Sequence, residues 1–321
     1  MLTYAVRRIA IAVPVFLGIT VVAFAFVRML PGDPVKMQLD PTQLQGPSAS
    51  DYIERQRAAF GLDQPVPVQY VRWLGQVFQG DLGYSYQLKV PVTQLFGERV
   101  GPSLTLIVTG VLVALLAGLV LGVVAALRQN SWADYTIGTG GMLAISIPGF
   151  FLGLMTIYVF ALKLGVLPSS GLRTLDEEPS FADGMRHLIL PAGVLAATLV
   201  GPYMRYVRQG MLEVLDQKFV TTAVAKGVPW AAVVTRHALR NALIPLTTAI
   251  AVQLPALLAG TVLIEKVFAW PGMGTLILDA VNGRDYPVLL GAVLLTAVAV
   301  MVCNLLADLA AAVLDPRIRL T

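Results

Sequence analysis

Six long apolar runs dominate this 321-residue chain, and they leave few ways for it to fold. They cover residues 9–27, 104–127, 135–162, 188–204, 242–264 and 288–307. Each is about 17 to 28 residues, the length of helix that crosses ~30 Å of hydrocarbon at ~1.5 Å per residue. The chain is 56% hydrophobic and only 13% charged, against about 25% charged in soluble domains. A bilayer, itself an apolar solvent, accommodates that balance; a soluble core of this size does not. The expected fold is therefore an all-α integral membrane bundle of six transmembrane helices, forming a single domain over 1–321.

Several runs are broken from within, at Pro148-Gly149, Pro191, Gly201-Pro202, Pro245 and Pro255. In lipid, such breaks survive where neighbouring helices or a cavity satisfy the freed backbone groups, so they favour a packed bundle around a path. Arg7 and Arg8 precede a first run of about 19 residues, longer than a secretory signal core, and this predicts an uncleaved first helix anchored by its arginines.

Lysine and arginine set the expected orientation. Residues 205–240 carry Arg205, Arg208, Lys218, Lys226, Arg236 and Arg240 against Glu213 and Asp216. Arg7, Arg8, Arg128, Arg317 and Arg319 fall on the same side if both termini are cytoplasmic, which an even number of spans requires. The net charge of +4 thus fits cytoplasmic loops, and no nucleic-acid partner is implied. Residues 31–101 become an extracytoplasmic segment between the first two spans. It is too long for an ordinary loop, and Val68, Val71, Leu74 and Phe78 at near-helical spacing predict one or two short surface helices there.

Residues 216–240 read as a compact cytoplasmic knob. Asp216 is suited to cap a short helix over 217–226. Lys226 sits in its last turn, where the dipole favours a cation. Gly227 follows at the position where a chain leaves a helix through positive φ, and Pro229 starts the next helix. Phe219 and Ala223 share one face of the short helix, Thr222 and Lys226 another. The small side chains Ala223 and Ala225 permit close approach by a partner. A solvated basic loop is the plain alternative.

The stretch FVTTAVAKGVPWAAVVTRHALRNALIPL from residue 219 resembles the coupling loop of ABC-importer permeases of the dipeptide/oligopeptide/nickel group. PGDPV at 31–35, FGLDQPVPVQYVRWL at 60–74, GDLGYS at 80–85, EKVFAWPGMG at 265–274, RDYPV at 284–288 and DPRIR at 315–319 are similar to further segments of that family, in order along the chain. Thr221 and Thr222 depart from the family's Glu-Ala, while Ala223 and Gly227 match it; Ala311 stands where a tyrosine is expected.

The resemblance implies a type I importer permease fold in the cytoplasmic (inner) membrane of a bacterium or archaeon. It implies a second homologous permease subunit, two ATP-binding subunits and an extracytoplasmic substrate-binding protein. Di- or oligopeptides would be the substrate, with nickel chelates, glutathione or oligosaccharides as alternatives. Phe219, Thr221, Thr222, Ala223, Ala225, Lys226 and Gly227 become the coupling residues. No cofactor belongs to this chain: ATP and magnesium would be bound by the partners, in keeping with the lack of a GxxxxGK[ST] loop.

Pro148, Phe150, Phe151, Gln253 and Asn304, polar or kink-forming at depth, are candidates for the substrate pathway, or equally for helix packing. A stand-alone ion-coupled transporter is the rival class, with Asp308 its one carboxylate well inside a span. An intramembrane hydrolase would have to use Ser103, Ser169 or Ser170 with His187, and no GxSxG or HExxH occurs. Cys303 sits alone in an apolar run, so an intrachain disulfide is impossible, and two histidines are too few for a histidine-built metal site.

Overall fold

The computed structural model describes residues 2–29, 35, 49–59, 61–174, 178, 180–243, 245–247, 249–250, 253, 257 and 261–314. Side chains are described from residue 11 to 305 within that set, residue 49 excepted. The elements are helical throughout: α1 (Leu2–Met29), α2 (Ala49–Ala59), α3 (Val66–Phe78), α4 (Val92–Leu127), α5 (Trp132–Ser146), α6 (Gly149–Thr156), α7 (Phe181–Leu215), α8 (Lys218–Ala225), α9 (Trp230–Ala232), α10 (Leu239–Ala242), α11 (Val262–Val267), α12 (Met273–Gly283) and α13 (Tyr286–Leu314). A π-helical run, Ile157–Lys163, extends α6, and another, Val233–Ala238, joins α9 to α10. Among the described residues the only extended pairing is an isolated bridge, Tyr84 to Pro91.

Among the described residues, four helices are long and apolar enough to cross a membrane: Ile11–Met29, Val92–Leu127, Phe181–Leu215 and Tyr286–Leu305. The third expected span is a bent pair, Trp132–Ser146 and Gly149–Lys163, meeting at 97°. The break has a local cause. Ile147 precedes a proline, which disfavours the helical region, and it is extended at φ −87°, ψ 122°. Of the expected fifth span, 242–264, ten of the 23 residues lie outside the described residues.

The chain packs as two compact units, Met1–Gly101 with Thr275–Val302, and Pro102–Gly274 with Cys303–Thr321. In the first, α3 lies on α1 through an aromatic cluster. Phe24 packs against Tyr70 and Trp73 with ring centroids 5.5 and 5.4 Å apart. The Tyr70 hydroxyl is 2.9 Å from Oγ1 of the fully buried Thr20. Two helices, α2 and α3, form where one or two surface helices are expected; of the spaced residues on α3, Val68, Val71 and Phe78 are exposed and Leu74 is half-buried, while Gln69, Tyr70 and Trp73 turn inward.

The second unit is built on α7, whose inward face runs from His187 through Leu195, Tyr203 and Val207 to Val214. Helix α4 lies against it with glycines at the contact. A methyl group added at Gly110, Gly118 or Gly122 would come within 2.6, 2.8 and 2.6 Å of Leu195, Tyr203 and Val207. The residue numbers rise together, so α4 and α7 run parallel here. Small residues let the backbones approach closely, which is how helices associate in lipid without a hydrophobic driving force between them.

Candidate functional site

Helix α7 ends at Asp216, which caps its C-terminus, and α8 begins after Gln217, an extended residue with no side-chain cap. The sequence reading assigned the N-cap to Asp216; it lies one residue further on. Pro229 likewise is the N-cap of α9, and Trp230 is the first helical residue. Both shifts are of the size by which helix ends ordinarily scatter.

Two backbone bonds close α8. Gly227 N–H donates to the Val224 carbonyl at 2.9 Å, and Val228 N–H to the Ala223 carbonyl at 3.2 Å. Gly227 has φ +79°. This is a complete Schellman stop, with glycine at the left-handed position and Val228 beside Ala223 as its apolar contact. Both side chains are half-buried against the unit's core. Val220, 4% exposed, anchors the helix from the same side.

The rest of α8 points away from the core. Phe219, Thr221, Thr222, Val224, Ala225 and Lys226 are exposed, and so is Trp230 on the following helix. Of the seven coupling candidates, only Ala223 lies inward; its smallness serves packing within the chain. The outward face therefore combines two aromatics and a valine with Lys218 and Lys226 at its ends. Val233, Val234 and Ala238 of the π-helical run are buried beneath it. The turn is thus anchored on one side and carries apolar side chains on its free face.

Near its base, Arg208 of α7 makes a bidentate pair with Asp134 of α5, at 2.6 and 2.7 Å. Asp134 also accepts from Asn130 N–H at 3.0 Å, and its own N–H donates to the N-cap hydroxyl of Ser131. One carboxylate thus joins the start of α5 to α7, a role the charge count alone did not reveal.

The five pathway candidates do not assemble into a described site. Pro148, Phe150 and Phe151 are exposed at and beyond the bend, while Gln253 and Asn304 are half-buried. Among the described residues no hydrogen bond joins them. The side chain of Asp308 lies outside the described residues.

Two buried carboxylates went unnoticed as such in the sequence. Glu265, fully buried, accepts from Ser103 Oγ at 2.7 Å and Thr261 Oγ1 at 3.2 Å. Ser103 in turn accepts from Met273 N–H at 2.7 Å. Asp285, 2% exposed, accepts from the Ser85 hydroxyl, from Tyr86 N–H at 3.0 Å and from Gln87 N–H at 3.2 Å. Each lies in a motif already quoted, EKVFAWPGMG and RDYPV, and Asp285 ties the second of these to GDLGYS. A carboxylate flanked by glycines and proline in an apolar sequence was the available signal.

Of the residues weighed as a hydrolase, Ser103 donates to Glu265, and His187 has Nδ1 2.9 Å from the Ser170 backbone carbonyl and Nε2 3.4 Å from Thr174 Oγ1. Thr174 also donates to Asp183 at 2.7 and 2.8 Å, and the cluster fastens residues before α7 to that helix.

Residues 118–320 match the family described as binding-protein-dependent transport system inner membrane component, and residues 1–107 match the N-terminal part of such membrane components. The chain belongs to this family. Relatives match along its whole length. A peptide permease protein of Brucella ovis is 42% identical over 100% of both chains. The oligopeptide transport system permease AppB of Bacillus subtilis is 39% identical over 99% of both. The glutathione transport system permease GsiC of Salmonella paratyphi A is 38% identical over 99% of both. Among solved structures, the inward-facing MetNI methionine ABC transporter gives a TM-score of 0.56 at 20% identity, covering 70% of this permease and 97% of that chain. That likeness establishes the fold, an ABC-importer permease. This is a multi-pass subunit of an ATP-driven importer.

Proposed function

We propose that this permease conducts di- or oligopeptides inward across the cytoplasmic membrane, and that separate ATPase subunits drive it by gripping the knob of α8 and Gly227. One observation carries the coupling: Val220, Ala223 and Val228 fix the knob to the core, while Phe219, Val224 and Trp230 are left exposed on it. A rigid link of this kind passes a push on the knob into α7, which Val220 and the Arg208–Asp134 pair tie to its neighbours. Thr221, Thr222, Ala225 and Lys226 complete the contact surface, and Gly227 sets its angle.

ATP and magnesium belong to the partner subunits in this reading, and this chain hydrolyses nothing itself. A second permease subunit completes the path, an extracytoplasmic binding protein delivers substrate to residues 31–101, and both termini are cytoplasmic. Peptide as substrate is supported by relatives named for peptide, oligopeptide and glutathione transport, each matched end to end. ATP binding would favour one of two arrangements of the path and hydrolysis the other, a population shift set by differential affinity.

Reconstitution tests the proposal. The complex copurified with this chain is placed in proteoliposomes with its binding protein and a labelled dipeptide or pentapeptide. Uptake that requires ATP on the knob side and peptide-loaded binding protein is expected. Uptake driven by an ion gradient without ATP would overturn it.

A further inference from the structure

Within the first unit, beside the end of α1, lies a cavity of about 490 Å³ that no step of transport explains. Arg28 lines it, half-buried, its guanidinium 5.2 Å from the centre of the Phe24 ring and 5.9 Å from that of Tyr286. Tyr86 lines the same space. Burial, partly offset by the Arg28 charge, pushes the Tyr86 phenol up to about 12, so it stays a neutral donor. Arg72 is a second guanidinium on the wall.

Among the described residues no carboxylate pairs with Arg28. Asp81, the acidic residue described at this cavity, accepts from Gly83 N–H at 2.8 Å. Stacked rings hold a guanidinium by its faces and leave its edge, with its fork of N–H donors, for an oxyanion. The site therefore offers two cations in an aromatic-walled hollow.

The source of the oxyanion follows from the rest of α1. On that helix Val21, Val22, Phe26 and Met29 are exposed by 50, 68, 67 and 80%, a surface that only lipid or another membrane helix can cover. Arg28 stands where that apolar stretch ends, at the depth where headgroups begin, and tyrosines around it are the residues usual at that interface. We infer that this cavity holds the phosphate of a phospholipid headgroup, with Arg28 as its principal ligand. The inference is independent of the substrate and of coupling; the orientation proposed above places it in the outer leaflet.

The test uses the full-length chain, purified in mild detergent, stripped of lipid and titrated with phosphatidylglycerol, with bound lipid counted by native mass spectrometry. Wild type should hold one lipid tightly that Arg28→Gln loses, with at least a tenfold rise in the concentration needed for that adduct. Arg28→Lys, which keeps the charge but not the fork, should fall between. Arg99→Gln, outside this cavity, should leave the adduct unchanged. Equal binding by Arg28→Lys and wild type would refute the guanidinium fork, and equal binding by Arg28→Gln would refute the site. Displacement of the lipid by inorganic phosphate or dialanine at millimolar concentration would assign the site to a soluble anion and overturn the lipid assignment.

Discussion

Gly227 illustrates how far one backbone angle reaches. Its φ of +79° closes α8 and turns the chain toward α9. A non-glycine residue there costs roughly 1–2 kcal/mol, and a β-branched one more. Gly227→Val is expected to insert normally but to lower ATP-dependent uptake at least tenfold while ATP hydrolysis persists; uptake and hydrolysis measured on the same proteoliposomes separate the two. Asn, which tolerates this region, should retain more transport. At Asp285 the consequence is stability. Asp285→Ala leaves Ser85 and the N–H groups of Tyr86 and Gln87 without their acceptor. An unsatisfied buried group costs about 1–3 kcal/mol. Thermal unfolding should shift downward and the turn at residues 84–91 should become open to protease, with Asp285→Asn less affected than Asp285→Ala.

Among the elements, helix existence was legible from hydropathy, and Pro148 announced the broken third span. The 97° bend itself was not, because proline marks a break and tertiary packing sets its angle. Which face of α3 turns inward was not legible: Val68, Val71 and Phe78 carry the apolar spacing and are exposed, while Tyr70 and Trp73 pack on Phe24. The knob's glycine turn was legible because helix C-termini have strong local rules, whereas the start of α8 was misplaced by one residue where no side chain caps it. The link from Ser85 to Asp285 spans 200 residues, beyond any local pattern. The bidentate pair of Arg208 and Asp134, 74 residues apart, is likewise non-local, and it tests the contact between α5 and α7. Asp134→Arg and Arg208→Asp should each lower detergent stability, and the double swap should recover part of the loss; two additive losses would show that the pair contributes little. The parallel packing of α4 on α7 yields a sharper expectation. Gly122→Leu forces a side chain into space 2.6 Å from Val207, so it should reduce folded protein in the membrane, while Gly138→Leu, in open space, should not.

At the scale of the whole molecule, the chain is a multi-pass subunit of an ATP-driven importer. Its membrane helices form the permease fold, and on its most basic segment the α8 knob is anchored on one side and apolar on its exposed face. If force enters the molecule there, then a charge placed on the knob's free face should remove the partner without disturbing the helices behind it. Val224 is the position of choice, 48% exposed where the neighbouring Val220 is buried. The decisive measurement is affinity purification of tagged wild-type and Val224→Glu chains from the native membrane at matched insertion, followed by quantitation of the ATPase subunits recovered with each. The account predicts that wild type brings ATPase subunits and that Val224→Glu brings at least tenfold less while keeping wild-type thermal stability. Equal recovery from both, with equal ATP-driven uptake, would contradict the claim that this knob is where the ATPase takes hold.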